Sequence, residues 1–221
     1  MFLDGFSNQL LEGAKITVAV SSCAILLGLV LGVIGAAGEL STRKWIRYLT
    51  TGITSIIRGL PELLTLFAIY FGGTILLSSL FGSYTEINAF MSGVIALGII
   101  FGAYAAQVFR GAFLMIARGQ KEAAIALGFS KWQTFYKILF PQAWRHALPG
   151  LGNLWLTTLK DSSLVALIGL AELTNKAQIA ASVTHKPFTF YVACALIYLA
   201  LTSISQLLLN YCHYRVSYYE H

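Results

Sequence analysis

EAAIALGFSKWQTFYKILFPQA, residues 122–143, is a water-compatible stretch set between long apolar runs. Residues 122–127 are strong helix formers. Gly128 follows where a helix needs a left-handed cap. Ser130 stands three residues before Gln133, the spacing of a capping box, and so opens a second helix. In that helix Trp132, Phe135, Tyr136 and Leu139 recur at i, i+3, i+4 and i+7 and form an apolar face. Lys131, Thr134 and Lys137 form a polar, basic face, and Pro141 is expected to end the helix. The stretch reads as two short helices joined at a glycine. Periodicity leaves two uses open: an amphipathic helix lying on anionic lipid, or a helix-in-groove element for a soluble partner.

Outward from this stretch the chain is apolar. Of its 221 residues 57% are hydrophobic and only 11% are charged, too few charges to cover a soluble domain of this length. An integral membrane protein in contact with membrane lipid is the first conclusion. The net charge of +6 then marks cytoplasmic loops rather than a nucleic-acid partner. Cys23, Cys194 and Cys212 are far apart and show neither metal spacing nor a disulfide framework. The four histidines, His146, His185, His213 and His221, have no ligand spacing either. No nucleophile–base pairing emerges, and the phosphate loop G-x-x-x-x-G-K-[ST] is missing from the sequence. Neither an enzyme nor a cofactor of its own is expected. The N-terminal MFLDGFSNQLLEGAK lacks a basic n-region, so no cleaved signal is expected.

Apolar runs near 20 residues are candidate transmembrane helices. Five are read: about 13–38, 48–80, 87–109, 147–170 and 188–211. The second is too long for one simple span, and Pro61 should kink or break it. Five spans put the termini on opposite sides. Ten of the fifteen Lys and Arg residues, from Arg43 to Arg215, fall on one side; Lys15, Lys176 and Lys186 fall on the other. The basic side is cytoplasmic by the positive-inside rule. The N-terminus is therefore periplasmic, the C-terminus cytoplasmic, and the loop at about 118–143 is cytoplasmic between spans three and four. Gly28/Gly32 and Gly98/Gly102 are small-xxx-small pairs that permit close helix approach. The whole chain, 1–221, reads as a single all-α domain.

Four ionisable residues fall inside spans, where burial is costly and function is the default question. Arg58 and Glu62 are four apart, a spacing that lets them pair on one helix face even with Pro61 between. The readings for that pair are a structural ion pair or a lining of the pathway. Lys160, Asp161, Ser162 and Ser163 lie mid-span. They serve either as helix–helix glue or in a water-filled cavity that touches substrate. In the second case Asp161 attracts a cationic group, and the two hydroxyls donate hydrogen bonds. Glu172, just beyond span four, reads as a solvated loop charge, with the outer mouth of a pathway as the alternative.

Glu122-Ala123-Ala124, Gly128, Ile138 and Phe140-Pro141 together resemble the E-A-A loop of ABC-importer permeases, with Phe140 where Leu is usual. The strings IIRGLPELL, GAYAAQVFRGAF, RGQKEAAIALGFS, FPQAWRHALPGLGN and LKDSSLVALIGLAEL resemble the polar amino acid branch of the histidine/arginine/glutamine type. This resemblance covers about 17–208. It implies a bacterial inner-membrane permease subunit whose loop, through Glu122, Ala123, Ala124, Gly128 and Pro141, docks on ABC ATPase subunits that use the ATP. It implies a second permease subunit, identical or homologous, and a periplasmic or extracellular amino acid binding protein. The Asp161 form of K-D-[ST]-[SA]-L-V looks closest to arginine-type permeases, with histidine, lysine and ornithine next. Gln107 stands where many members of the branch carry Glu, and arginine-type relatives often share Gln; it joins Asp161, Lys160, Ser162, Ser163, Arg58 and Glu62 as a candidate for the substrate pathway. Two other classes remain as rivals: a membrane scaffold or sensor that recruits a cytoplasmic partner, and an ion-coupled secondary transporter.

Overall fold

The computed structural model describes residues 5–217, with side chains as far as residue 212. Residues 1–4, the side chains of His213 and Arg215, and His221 lie outside the described residues. The described chain is all helical. Helices α1 (Ser7–Glu39), α3 (Glu62–Phe81), α4 (Ala89–Met115) and α9 (Pro187–Ser217) are long and apolar enough to cross a membrane. A fifth crossing exists if residues 131–168 and α8 (Leu173–Thr184), bent by 52° at their junction, count as one broken span. The count of four to five agrees with the apolar runs.

α1 and α4 form the spine, and glycine sets their spacing. A Cβ at Gly28 would stand 2.5 Å from the Phe101 ring and 2.9 Å from the Gly98 carbonyl oxygen. A Cβ at Gly98 would stand 3.1 Å from the Ala24 carbonyl oxygen. The small-xxx-small pairs thus meet each other, with backbone against backbone. Ile25, Phe101, Ala105 and Phe109 then close into a core with Ala143, Ala147 and Leu151 of α7 (Phe140–Asp161). Beyond Asp161 the chain narrows into a 3-10 segment, Ser162–Ile168. Val165 and Ile168 of that segment pack with Leu66 of α3 and Leu97 of α4.

The long second run is broken where expected. α2 (Lys44–Gly59) stops, Leu60 is extended, and Pro61 precedes α3. A residue before proline is driven out of the helical region, and proline has no N–H with which to continue the ladder. α2 is not among the helices long and apolar enough to cross alone.

Three expectations need correction. Pro141 does not end the second loop helix. α6 (Lys131–Thr134) widens into a π-turn, Phe135–Leu139, and α7 begins at Phe140 with Pro141 in its first turn. A wide turn followed by a fresh helix start puts the proline where no N–H is needed. The helix face also differs from the expected one. Thr134, expected on the polar side, is buried, while Trp132 and Tyr136 are exposed. Third, the stretch between spans four and five is not a plain loop but contains the twelve residues of α8.

Candidate functional site

The loop is built around α5 (Arg118–Ala126) and the corner after it. Gly128 has φ 80°. The Phe129 N–H donates to the Ala124 carbonyl at 3.0 Å and the Gly128 N–H to the Ile125 carbonyl at 2.9 Å. This is a Schellman cap, which satisfies carbonyls that the helix end would leave free. Ser130 and Gln133 then form the capping box: the Ser130 N–H donates to the Gln133 side chain at 2.9 Å, and the Gln133 N–H to Ser130 Oγ at 3.3 Å. Within α5, Ala124 is buried against the chain while Glu122 and Ala123 face outward. Leu127 is 78% and Trp132 71% exposed. Trp132 stacks on Phe135, which stacks on Phe113 of α4 at 5.9 Å and meets Phe140 at 6.1 Å. The loop is thus keyed to the spans by aromatic rings and presents an apolar patch with an acidic residue beside it.

The charges within the spans are rearranged from their expected pairing. Arg58 donates to the Thr54 carbonyl at 3.3 Å and contacts Ser55 Oγ at 3.5 Å. It does not reach Glu62, because the break at Pro61 has put the two on different helices. Glu62 is the first residue of α3, a position that the helix dipole favours for an acid. It lies within electrostatic reach of Asp161, the last residue of α7. Asp161 and Ser163 are half-buried, and Lys160 is exposed. Ser162 is turned into the core and donates to the Leu159 carbonyl at 2.7 Å. Asp161 stands at the junction of α7 and the 3-10 segment.

Gln107 does not stand free. Its amide donates to both carboxylate oxygens of Glu39, at 2.8 and 2.7 Å. Thr54 donates to the same carboxylate at 2.6 Å, and Arg110 lies 3.7 Å away. Glu39 is only 2% exposed. Glu172 likewise is fully buried, not a solvated loop charge. It caps α8 by accepting from the Asn175 N–H at 2.9 Å, and it accepts from the hydroxyls of Thr17 at 3.1 Å and Tyr198 at 2.9 Å. Buried carboxylates are tolerated when donors saturate them, as here. Sequence reasoning passed over both clusters. An acidic residue just before a helical pattern was the available signal for Glu172. Glu39, at the end of an apolar run, gave none.

Residues 24–218 match the family described as binding-protein-dependent transport system inner membrane component. The chain is 46% identical over 206 residues to the arginine ABC transporter permease protein ArtQ of Haemophilus influenzae, covering 93% of this chain and 92% of that one. It is 38% identical over 219 residues to the histidine/lysine/arginine/ornithine transport system permease protein HisQ of Escherichia coli, covering 97% and 96%. The crystal structure of an amino acid ABC transporter with histidines superposes with a TM-score of 0.84 at 33% identity, covering 95% of both chains.

Proposed function

This chain belongs to the family of binding-protein-dependent transport system inner membrane components, and we propose that its cargo is a basic amino acid, with arginine ahead of histidine, lysine and ornithine. It is a multi-pass permease subunit of an ATP-driven amino acid importer of the inner membrane, and it is not itself an enzyme. The ATP is used by a separate subunit. Scaffold, sensor and ion-coupled transporter readings leave both the family match and the loop without a role.

The observation that carries the cargo reading is that Glu62, at the start of α3, lies within electrostatic reach of Asp161, at the end of α7. Two carboxylates that feel each other in a low dielectric repel, and Lys160 beside Asp161 offsets only part of that repulsion. A guanidinium or ammonium group set between them removes that repulsion, whereas a neutral guest does not. Such a site draws its selectivity from charge. Lys160, next to Asp161, is available to the guest's α-carboxylate and Ser163 to its hydrogen bonds, while Arg58, held to the Thr54 carbonyl of α2, stays a candidate for the wider pathway. Ser162 is committed to the Leu159 carbonyl and Gln107 to Glu39, so these two shape the pathway without lining it.

The rest of the machine follows the same reading. The whole chain, 1–221, is one transmembrane unit with its N-terminus periplasmic and its C-terminus cytoplasmic. The loop at 118–143 docks on ABC ATPase subunits. Glu122 offers a charge and Ala123 a close approach; the exposed Leu127 and Trp132 offer apolar area. Ala124 is buried as an internal strut, Pro141 sits exposed in the first turn of α7, and Gly128 makes the corner. Two permease subunits enclose the pathway, and a binding protein delivers cargo from outside. Approach of two ATPases then tilts the spans as rigid bodies and exchanges inward and outward access.

The test is ATP-dependent uptake of labelled arginine by the reconstituted complex, with histidine, lysine and glutamine as competitors, in wild type and Asp161→Asn. Preference for basic competitors, collapsing in the variant, is the expected result. Preference for glutamine over all basic competitors would overturn the cargo reading.

A further inference from the structure

We infer that the chain carries a second, outer site for the cationic group of the cargo, formed by Glu86 and Tyr70. This inference rests on the proposed basic cargo. A cavity of about 680 Å³ opens where the 82–88 connection, the start of α4 and the residues after the 3-10 segment meet. Glu86, Tyr70 and Asn88 supply its polar lining, with Ile168, Gly169 and Leu170 behind them. Glu86 is the only charged residue in that lining among the described residues. The Tyr70 hydroxyl donates to the Glu86 carboxylate and so fixes it in the mouth of the cavity.

The cavity's place in the fold links it to the inner acid pair. α3 starts at Glu62 and reaches Tyr70 eight residues on, a rise of about 12 Å. The 3-10 segment leaves Asp161 and reaches Ile168 after seven residues, about 14 Å. Both elements therefore run from the Glu62–Asp161 pair to the Glu86 cavity over nearly the same distance. They run side by side: Leu63, Leu66, Phe67 and Tyr70 share a core cluster with Leu164, Val165, Ile168 and Leu170. One turn beyond Glu62, Thr65 is buried with no partner for its hydroxyl among the described residues. The outer carboxylate and the inner pair thus lie at opposite ends of the same two packed elements. The outer station is open and holds one carboxylate, so it binds weakly and releases quickly. The inner station holds two carboxylates with Lys160 beside them, so it differs from the outer one in enclosure and partners rather than in net charge.

The test separates cargo binding from binding-protein docking. The complex is purified without binding protein, and binding of labelled arginine is measured by equilibrium dialysis. The forms compared are wild type, Asp161→Asn, and Asp161→Asn combined with Glu86→Gln or Glu86→Asp. The expected result is a weak site that survives in Asp161→Asn, weakens about tenfold with Glu86→Gln and recovers with Glu86→Asp. Citrulline, the uncharged relative of arginine, should not compete for it. Asp161→Asn protein that binds no arginine, or whose binding is untouched by Glu86→Gln, overturns the outer site. So does a Glu86→Gln effect found only in the dependence of uptake on binding-protein concentration, because that marks a docking contact. Wild-type protein that neither binds nor imports any basic amino acid brings down the cargo reading itself, and the outer site with it.

Discussion

Gln107 of α4 holds both carboxylate oxygens of Glu39, at 2.8 and 2.7 Å, and Thr54 of α2 closes the same carboxylate at 2.6 Å. One buried acid therefore ties the end of α1 to α2 and α4. Arg110 completes the cluster from a half-exposed position, 45% open to its surroundings.

The members of that cluster differ in weight. Glu39→Ala leaves the half-buried Gln107 amide without its acceptor, and an unsatisfied donor of that kind costs about 1–3 kcal/mol. Arg110→Ala leaves the carboxylate its Gln107 and Thr54 donors and removes a half-exposed pair worth less than about 1 kcal/mol. In thermal unfolding of the purified complex, Glu39→Ala should lower the midpoint by several times the shift of Arg110→Ala. Equal shifts would mean that the carboxylate is held mainly by its charge partner.

The spine makes a second contrast. Gly28→Ala drives a methyl group into the Phe101 ring and the Gly98 carbonyl. Overpacking of this kind costs about 1–3 kcal/mol, and here the obstacle is partly backbone, which cannot rotate away. Gly72 sits in α3 with nothing within 4 Å. Gly72→Ala should be neutral or raise stability by up to about 1 kcal/mol through helix propensity. Detergent-resistance and thermal-shift measurements on the two variants should move in opposite directions. A tolerated Gly28→Ala would show that α1 and α4 can separate without loss.

Glu172 offers a third. Its carboxylate joins α1 through Thr17, α8 through the Asn175 N–H and α9 through Tyr198. Tyr198→Phe removes one donor from an acid that keeps two, a loss of about 1–2 kcal/mol. Glu172→Ala uncaps α8 and takes the acceptor from the Thr17 hydroxyl, while Tyr198 keeps Thr174 at 3.3 Å, so its loss should be larger and should include protease sensitivity at 171–187. Limited proteolysis of both variants reads this directly. Cleavage in Tyr198→Phe as fast as in Glu172→Ala would move the weight from the cap to the tyrosine.

The sequence disclosed what periodicity and special residues control. Run lengths located the spans, Pro61 located the break, and Gly128, Ser130 and Gln133 located the loop corner and its cap, because each acts within a few residues of chain. What it hid depends on contacts far apart in the chain. Glu39 and Gln107 are 68 residues apart, and Thr17 and Glu172 are 155 apart. Neither partner looks unusual alone. Arg58 and Glu62 misled for the opposite reason: spacing of four implies a shared face only while the helix is continuous, and Pro61 ends it. Pro141 misled because a π-turn resets the helix before the proline arrives, and periodicity at 3.6 residues does not anticipate that turn.

The corner at Gly128 allows the sharpest test of the loop. Nothing lies within 4 Å of a Cβ built there, so substitution meets no steric block. The whole penalty is conformational: φ 80° costs an L-residue about 1–2 kcal/mol. Gly119 also has nothing within 4 Å, but it lies in α5 with an ordinary helical backbone. Gly128→Val should therefore insert into membranes and melt at nearly the wild-type temperature, yet lose the relative orientation of α5 and the 130–139 turn. Co-purification of the ATPase and ATP-driven uptake should both fall several-fold in Gly128→Val and stay unchanged in Gly119→Ala. If Gly128→Val retains full ATPase binding and uptake, the corner is only a connection, and the docking surface must be sought elsewhere on the chain. If instead both glycine variants lose uptake while keeping the ATPase bound, the loop transmits motion through the length of α5 rather than through its corner.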